Sequence, residues 1–235
     1  MKKIKEKCLD VLYPPRCPAC GGILEDKQRS ICLQCESIFH PVSEYYCMKC
    51  GKPVKMEEEY CVACREGGHY FTEGRSIFPY GEIWRQSLIR FKYYGCREYG
   101  DFYAKAMSVY GRRYLERWKP QLIVPVPLHP AKKRMRGFNQ AAYLAERLSC
   151  YTGIPWTDSL VLKIRNTRSQ KKLDALQRRN NLRKAYEVTH KLDDISILVV
   201  DDVYTTGSTM DAMAICLTEA GAQAVYFLTV CAGRQ

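Results

Sequence analysis

A chain of 235 residues with 46% hydrophobic side chains is long enough for one sizeable α/β core and a small satellite domain, which excludes disorder as its default. No apolar run approaches the roughly 20 residues of a membrane helix, so the sequence predicts a soluble cytoplasmic protein without membrane insertion. The formal charge of +12 is uneven: residues 1–75 hold 12 Lys+Arg against 11 Asp+Glu, leaving 25 against 14 in residues 76–235, so the second part carries the basic excess that attracts phosphate-rich partners.

The first residues, MKKIKEKCLDVLYPPRC, begin like a secretory leader, but Asp10, Pro14 and Pro15 break the apolar stretch and no signal peptide is expected. Eight of the 13 cysteines then follow as four Cys-x-x-Cys pairs: Cys17/Cys20, Cys32/Cys35, Cys47/Cys50 and Cys61/Cys64. Pairs in series read as metal binding in a reducing compartment, whereas a redox dithiol needs one isolated pair. Gaps of 11, 11 and 10 residues do not choose partners by themselves. Gly21 and Gly51, directly after the first and third pairs, mark two tandem ribbons with four thiolates each; a cross-braced pairing stays open. Two closed four-cysteine sites imply two structural Zn2+ ions and no open coordination position for chemistry. With both ions bound, the net charge falls to about +8. His40 and His69 could replace a cysteine, but no gap in the pattern asks for them. Cys8, Cys96, Cys150, Cys216 and Cys231 read as ordinary buried or half-buried thiols.

The cysteine-rich region ends near Gly74, which divides the chain into residues 1–74 and 75–235. Beyond it, strand and helix signals alternate. A short strand is predicted at 75–80 and a helix at 83–91 with Trp84, Leu88 and Phe91 on one face. A longer helix over 99–118 and a buried strand at 122–126 follow. Asn139 is placed to cap a helix whose Ala141, Leu144, Ala145 and Leu148 share a face and which closes at Gly153. A weak strand at 159–163, a strong one at 195–200, a helix over 208–220 stopped by Gly221, and a last strand at 224–230 complete an α/β pattern with a mostly parallel sheet. Residues 165–184, RNTRSQKKLDALQRRNNLRK, carry eight basic residues against the single acid Asp174. They read as a solvated loop or as a lid over an anionic ligand.

The chemistry concentrates in ILVVDDVYTTGST, residues 197–209. A β-branched strand ends in Asp201 and Asp202, a short turn follows, and Gly207 opens a helix. The helix start offers free amides and a positive dipole end to a phosphate, surrounded by the hydroxyls of Thr205, Thr206, Ser208 and Thr209. Two carboxylates beside such a cradle suit the two hydroxyls of a ribose, so together the motif describes a ribose 5-phosphate. Neither GxxxxGK[ST] nor GxGxxG is present. A receiver domain also opens with ILVVDD, but only 33 residues follow Asp202, too few for that fold.

VVDDVYTTGST resembles the signature of type I phosphoribosyltransferases. Together with VPVPLHPAKKRMRGFNQA at 124–141, IRFKYYG at 89–95, the stretch around Arg168, Gln170 and 178–180, and the double ribbon, the chain is similar to the ComF competence protein family along nearly its whole length. The resemblance implies a type I phosphoribosyltransferase fold in which Asp201 and Asp202 hold the ribose hydroxyls of phosphoribosyl pyrophosphate and Thr205, Thr206, Gly207, Ser208 and Thr209 bind its 5-phosphate. It further implies a pyrophosphate loop at 128–136, with Leu128, Lys132, Lys133, Arg134 and Arg136, and a hood loop with Arg168, Gln170, Lys171 and Lys172. Lys92 and Arg168 are candidate helpers, and Mg2+ would arrive on the ligand. For residues 132–136, a solubilising turn is the plainer alternative.

Two functions fit these residues. One is a phosphoribosyltransferase whose acceptor the sequence does not identify, acting in DNA uptake beside the helicase-like ComFA; with no N-terminal nucleophile or glutaminase domain, an amidophosphoribosyltransferase is not supported. The other is a catalytically inactive adaptor for single-stranded DNA on the same fold, with Tyr93, Tyr94 and Phe138 among basic residues. Core packing is the first reading of those aromatics, because Tyr and Phe routinely fill α/β interiors.

Overall fold

The computed structural model describes residues 14–26, 29–42, 45–164 and 185–233. The hood residues Arg168, Gln170, Lys171 and Lys172, with the basic stretch around them, lie outside this set, as does Cys8.

Four parallel strands form the central sheet in the order β1-β6-β5-β2: β1 Glu73–Pro79, β6 Ala224–Ala232, β5 Ser196–Tyr204 and β2 Leu122–Pro125. Alternate residues of the central strands feed two separate cores, which is why they read as continuous apolar runs rather than alternating ones. On one face Leu198, Val200, Leu228 and Val230 meet helices α3 Glu82–Tyr93, α4 Tyr99–Tyr110, α5 Arg112–Trp118 and α7 Gln140–Thr152. On the other, Ile197, Val199, Val225 and Phe227 meet α8 Ser208–Glu219, the short antiparallel pair β3 Val161–Lys163 and β4 Tyr186–Val188, and the second cysteine ribbon. Gly74 pairs with Phe227 across β1 and β6, and a Cβ there would lie 2.0 Å from the Phe227 ring. Only glycine admits that ring.

Five sequence expectations change in detail. The helix predicted over 99–118 is two, α4 and α5, divided at Gly111, where a Cβ would sit 2.4 Å from the Met107 carbonyl and 3.1 Å from Leu228. The predicted loop at 128–136 contains a helix, α6 Pro130–Arg136. His129 caps it by accepting from the Ala131 amide, Pro130 occupies its first turn, and Gly137 at φ +79° ends it. The strong strand does not stop before the aspartates but runs through them to Tyr204. The weak strand at 159–163 belongs to the separate β3–β4 ladder and not to the parallel sheet. Of the remaining thiols, Cys216 and Cys231 are buried and Cys96 is half-buried, but Cys150 is exposed.

The ribbon region packs on this body. Its short helices are α1 Leu33–Glu36 and α2 Val62–Arg65. Phe39 enters edge-on among Phe78, Trp84 and Phe102, at 5.4, 4.5 and 4.7 Å between ring centres. Arg75, 3% exposed, donates to the carbonyls of Met48 and Gly74 and lies between the rings of Tyr46 and Tyr114. Among the described residues no helix is long and apolar enough to cross a membrane.

Candidate functional site

The cysteines gather in sequence order. Cys17, Cys20, Cys32 and Cys35 form one tetrad and Cys47, Cys50, Cys61 and Cys64 the other, with all sulfurs of each within 4.8 Å of one another. This is the tandem arrangement and not the cross-braced one. A tetrahedral zinc with bonds of about 2.3 Å needs sulfurs about 3.8 Å apart. Cys20 and Cys32 stand at 3.8 Å and Cys50 and Cys61 at 3.7 Å, so both tetrads fit the ion. Gly21 and Gly51 take φ +77° and +69°, as the tight turns after the first and third pairs require. The Gly22 amide donates to Cys20 Sγ at 3.4 Å.

At the carboxyl edge of the sheet, β5 presents Asp201 and Asp202. Because side chains alternate along a strand, the two reach opposite faces. Asp202, 7% exposed, meets Lys92 from the end of α3, with Nζ 2.5 Å from Oδ2. Burial works against the charge of Lys92, but Asp202 and then Asp201 outweigh it and raise its pKa. Asp201 keeps a water-facing edge, yet burial, followed by the charge of Asp202, pushes its carboxyl up to about 7. Across from it, Lys163 of β3 lies over the Tyr186 ring, and burial with the nearby Lys132 lowers its pKa. Lys163 and Tyr186 carry no motif. Only the β3–β4 ladder brings them to the aspartates.

After Tyr204 the chain turns through Thr205 and Thr206, both exposed, and Gly207 enters α8 at φ +88°. Thr206 Oγ1 lies 2.6 Å from Ser208 Oγ, and Thr209 is exposed on the first turn. Five residues of the phosphate motif therefore surround one helix start. On the opposite flank, Arg136 of α6 donates to Gln140 Oε1 at 2.8 Å and to the Tyr93 hydroxyl at 2.6 Å, and its charge is felt at Lys92. Lys132, Lys133 and Arg134 are exposed along α6 and Leu128 is half-buried before it. The structure thus draws together Lys92, Lys132, Lys163, Arg136, Asp201 and Asp202. Of the three aromatics noted among basic residues, Tyr93 and Tyr94 are exposed, while Phe138 packs edge-on against Phe91.

The sequence pattern of the double zinc ribbon domain matches residues 8–65, and that of the phosphoribosyl transferase domain matches residues 107–235, more than half of the chain. The chain is 28% identical to competence protein F of Haemophilus influenzae over 216 residues, covering 89% of this chain and 93% of that protein. It is 28% identical to competence protein ComFC of Bacillus subtilis, covering 81% and 79% respectively. With the DNA utilization protein YhgH of Salmonella typhi it shares 35% over 112 residues, 48% of this chain and 49% of that one. The chain belongs to the phosphoribosyl transferase domain family, in the ComF arrangement that sets a double zinc ribbon ahead of that domain.

Proposed function

We propose that the protein binds phosphoribosyl pyrophosphate at the carboxyl edge of the sheet and acts as a phosphoribosyltransferase. The observation that carries this reading is the continuity of one segment: β5 delivers Asp201 and Asp202, and within seven residues the same chain opens the start of α8 at Gly207. Carboxylates accept from the ribose hydroxyls, and the helix amides with Thr205, Thr206, Ser208 and Thr209 take the 5-phosphate. Lys92, Lys132 and Arg136 stand on the side where the leaving pyrophosphate would lie, with Lys133 and Arg134 adding positive potential along α6.

Displacing pyrophosphate from C1 of the sugar develops positive charge on the ring and negative charge on the leaving group. The protein contributes position, cations for the departing oxygens, and carboxylates beside the ribose. Magnesium, carried by the ligand, would screen the phosphate oxygens. Among the described residues the only groups of three or more metal-ligating side chains are the two cysteine tetrads. The names borne by the relatives, competence and DNA utilization, extend the proposal to incoming single-stranded DNA as the biological setting in the cytoplasm, with a ComFA-type helicase as partner.

Calorimetric titration of magnesium phosphoribosyl pyrophosphate into the native chain and into Asp201→Asn/Asp202→Asn tests the site. Binding by the native protein that falls at least 10-fold in the variant supports the reading. No binding by a folded, zinc-loaded native protein overturns it and transfers the weight to the single-strand adaptor.

A further inference from the structure

His69 belongs to neither cysteine tetrad and to no motif, yet its side chain is 5% exposed and fully engaged. Its Nδ1 lies 2.9 Å from Asp211 Oδ2, its Nε2 lies 3.3 Å from the Tyr204 hydroxyl, and its ring stacks on Phe71 at 4.8 Å. The next amide, that of Tyr70, donates to Asp211 Oδ1 at 2.9 Å, so both oxygens of this carboxylate are taken up by residues 69 and 70. All three partners on the body are tied to one turn. Tyr204 precedes it, Asp211 sits in the first turn of α8, and a Cβ on Gly207 would meet His69 Cε1 at 2.4 Å. Gly207 therefore answers two demands, the left-handed φ and the proximity of the imidazole.

We infer that His69, delivered by the segment that leaves the second zinc ribbon, is a positioning residue for the 5-phosphate cradle. The inference rests on the proposed phosphoribosyl pyrophosphate site and deepens it: the ribbon region is a structural part of that site. The physical reason is the carboxylate of Asp211. A negative group in the first turn of a helix competes with a phosphate for the same amides and dipole. Fixing both of its oxygens against residues 69 and 70 leaves the amides at the helix start to a ligand. The imidazole also walls the back of the turn, so the hydroxyls of Thr205, Thr206 and Ser208 are held in one arrangement before the ligand arrives, and less freedom is lost on binding.

The test uses the full, zinc-loaded chain with three probes: ribose 5-phosphate, magnesium phosphoribosyl pyrophosphate and magnesium pyrophosphate. In His69→Ala the affinity for ribose 5-phosphate and for phosphoribosyl pyrophosphate is expected to fall by the same factor, roughly 10-fold, with two zinc ions retained and pyrophosphate binding unchanged. General loosening of the fold would weaken all three probes alike. His69→Asn, which keeps a nitrogen donor near Asp211, should recover most of the loss. If His69→Ala does not fold, His69→Phe decides, because it keeps a ring against Phe71 and Gly207 and removes only the nitrogens. Unchanged ribose 5-phosphate affinity in a folded variant overturns this inference alone, as does equal weakening of all three probes. Failure of the native chain to bind either ribose ligand overturns the functional reading, and this inference with it.

Discussion

In the first ribbon, Cys20 faces solvent, and the tetrad's buried apolar company is Ala19 and Leu24. In the second, Cys47, Cys50 and Cys61 lie at 0–2% exposure inside the same core cluster as Phe71, Tyr204, Met213 and Phe227. One motif, repeated after about 30 residues, thus serves two ends. The first zinc staples a local loop pair that could not bury enough surface to fold by itself. The second closes one wall of the core beneath the turn at 205–207, and the chain leaving it carries His69 to Asp211. A cysteine count or a spacing does not separate the two. Their surroundings do.

The largest effect should come from deleting one buried ligand of each site. Cys17 and Cys47 are both 0% exposed, so the substitutions are matched in burial. Cys47→Ala should cost on the order of 4–5 kcal/mol, because loss of the ion leaves three thiols and a void in the main core. Cys17→Ala should cost roughly half of that and leave phosphoribosyl pyrophosphate binding in place. Zinc content and thermal unfolding of the two variants measure the difference, and equal losses would show that the ribbons are energetically equivalent.

The knuckle glycines sharpen the same contrast at smaller scale. Both have positive φ, so alanine is strained at either position by about 1 kcal/mol. At Gly51 the new Cβ would also stand 2.7 Å from Arg75 Cα and 2.8 Å from the Gly74 carbonyl oxygen, backbone atoms of β1 that have nowhere to go. At Gly21 it meets only the guanidinium of Arg90 at 2.9 Å, the free end of a flexible chain. Gly51→Ala should therefore lose about 3 kcal/mol and Gly21→Ala about 1 kcal/mol in denaturant unfolding. A reversed order would mean that the second ribbon does not press on the sheet edge as described.

The difference between the ribbons also marks what was readable in the sequence. The cysteine pairs, the β-branched run of β5 and the DDVYTTGST turn are local signals, each fixed by residues within a few positions of one another. Helix α6 has start and stop signals of its own in His129, Pro130 and Gly137, which a basic run of the kind typical of loops separates. At Gly111 the local Met107 carbonyl crowds a Cβ first, at 2.4 Å, and Leu228, more than 100 residues away, adds to it at 3.1 Å. His69 depends on Asp211, 142 residues away, and Lys163 and Tyr186 depend on a ladder of three residues. No periodicity announces such pairs, because the contacts exist only after the sheet has formed.

The smallest effect, a pH dependence, tests the half of the site to which neither ribbon contributes a side chain. The neighbours of Asp201 come from β3, β4, β5 and α3, and burial followed by the charge of Asp202 sets its pKa near 7, against about 3.9 in an unfolded chain. A carboxyl raised in this way favours folding while protonated. Its contribution is present below about pH 4 and is lost as the pH rises through about 7. Asp201→Asn removes the ionisation, so the ligand-free variant should match the native protein at about pH 4, gain on it progressively as the pH rises, and exceed it at pH 8 by on the order of 1 kcal/mol. The gain stays below that of a fully dry carboxyl because water reaches one edge of Asp201. It should be the same in a Cys17→Ala background, where the first zinc is lost. An equal gain at pH 5 and pH 8 would trace the effect to packing rather than ionisation. A gain that vanishes with the first zinc would mean that the outer ribbon reaches further into the sheet edge than its contacts indicate.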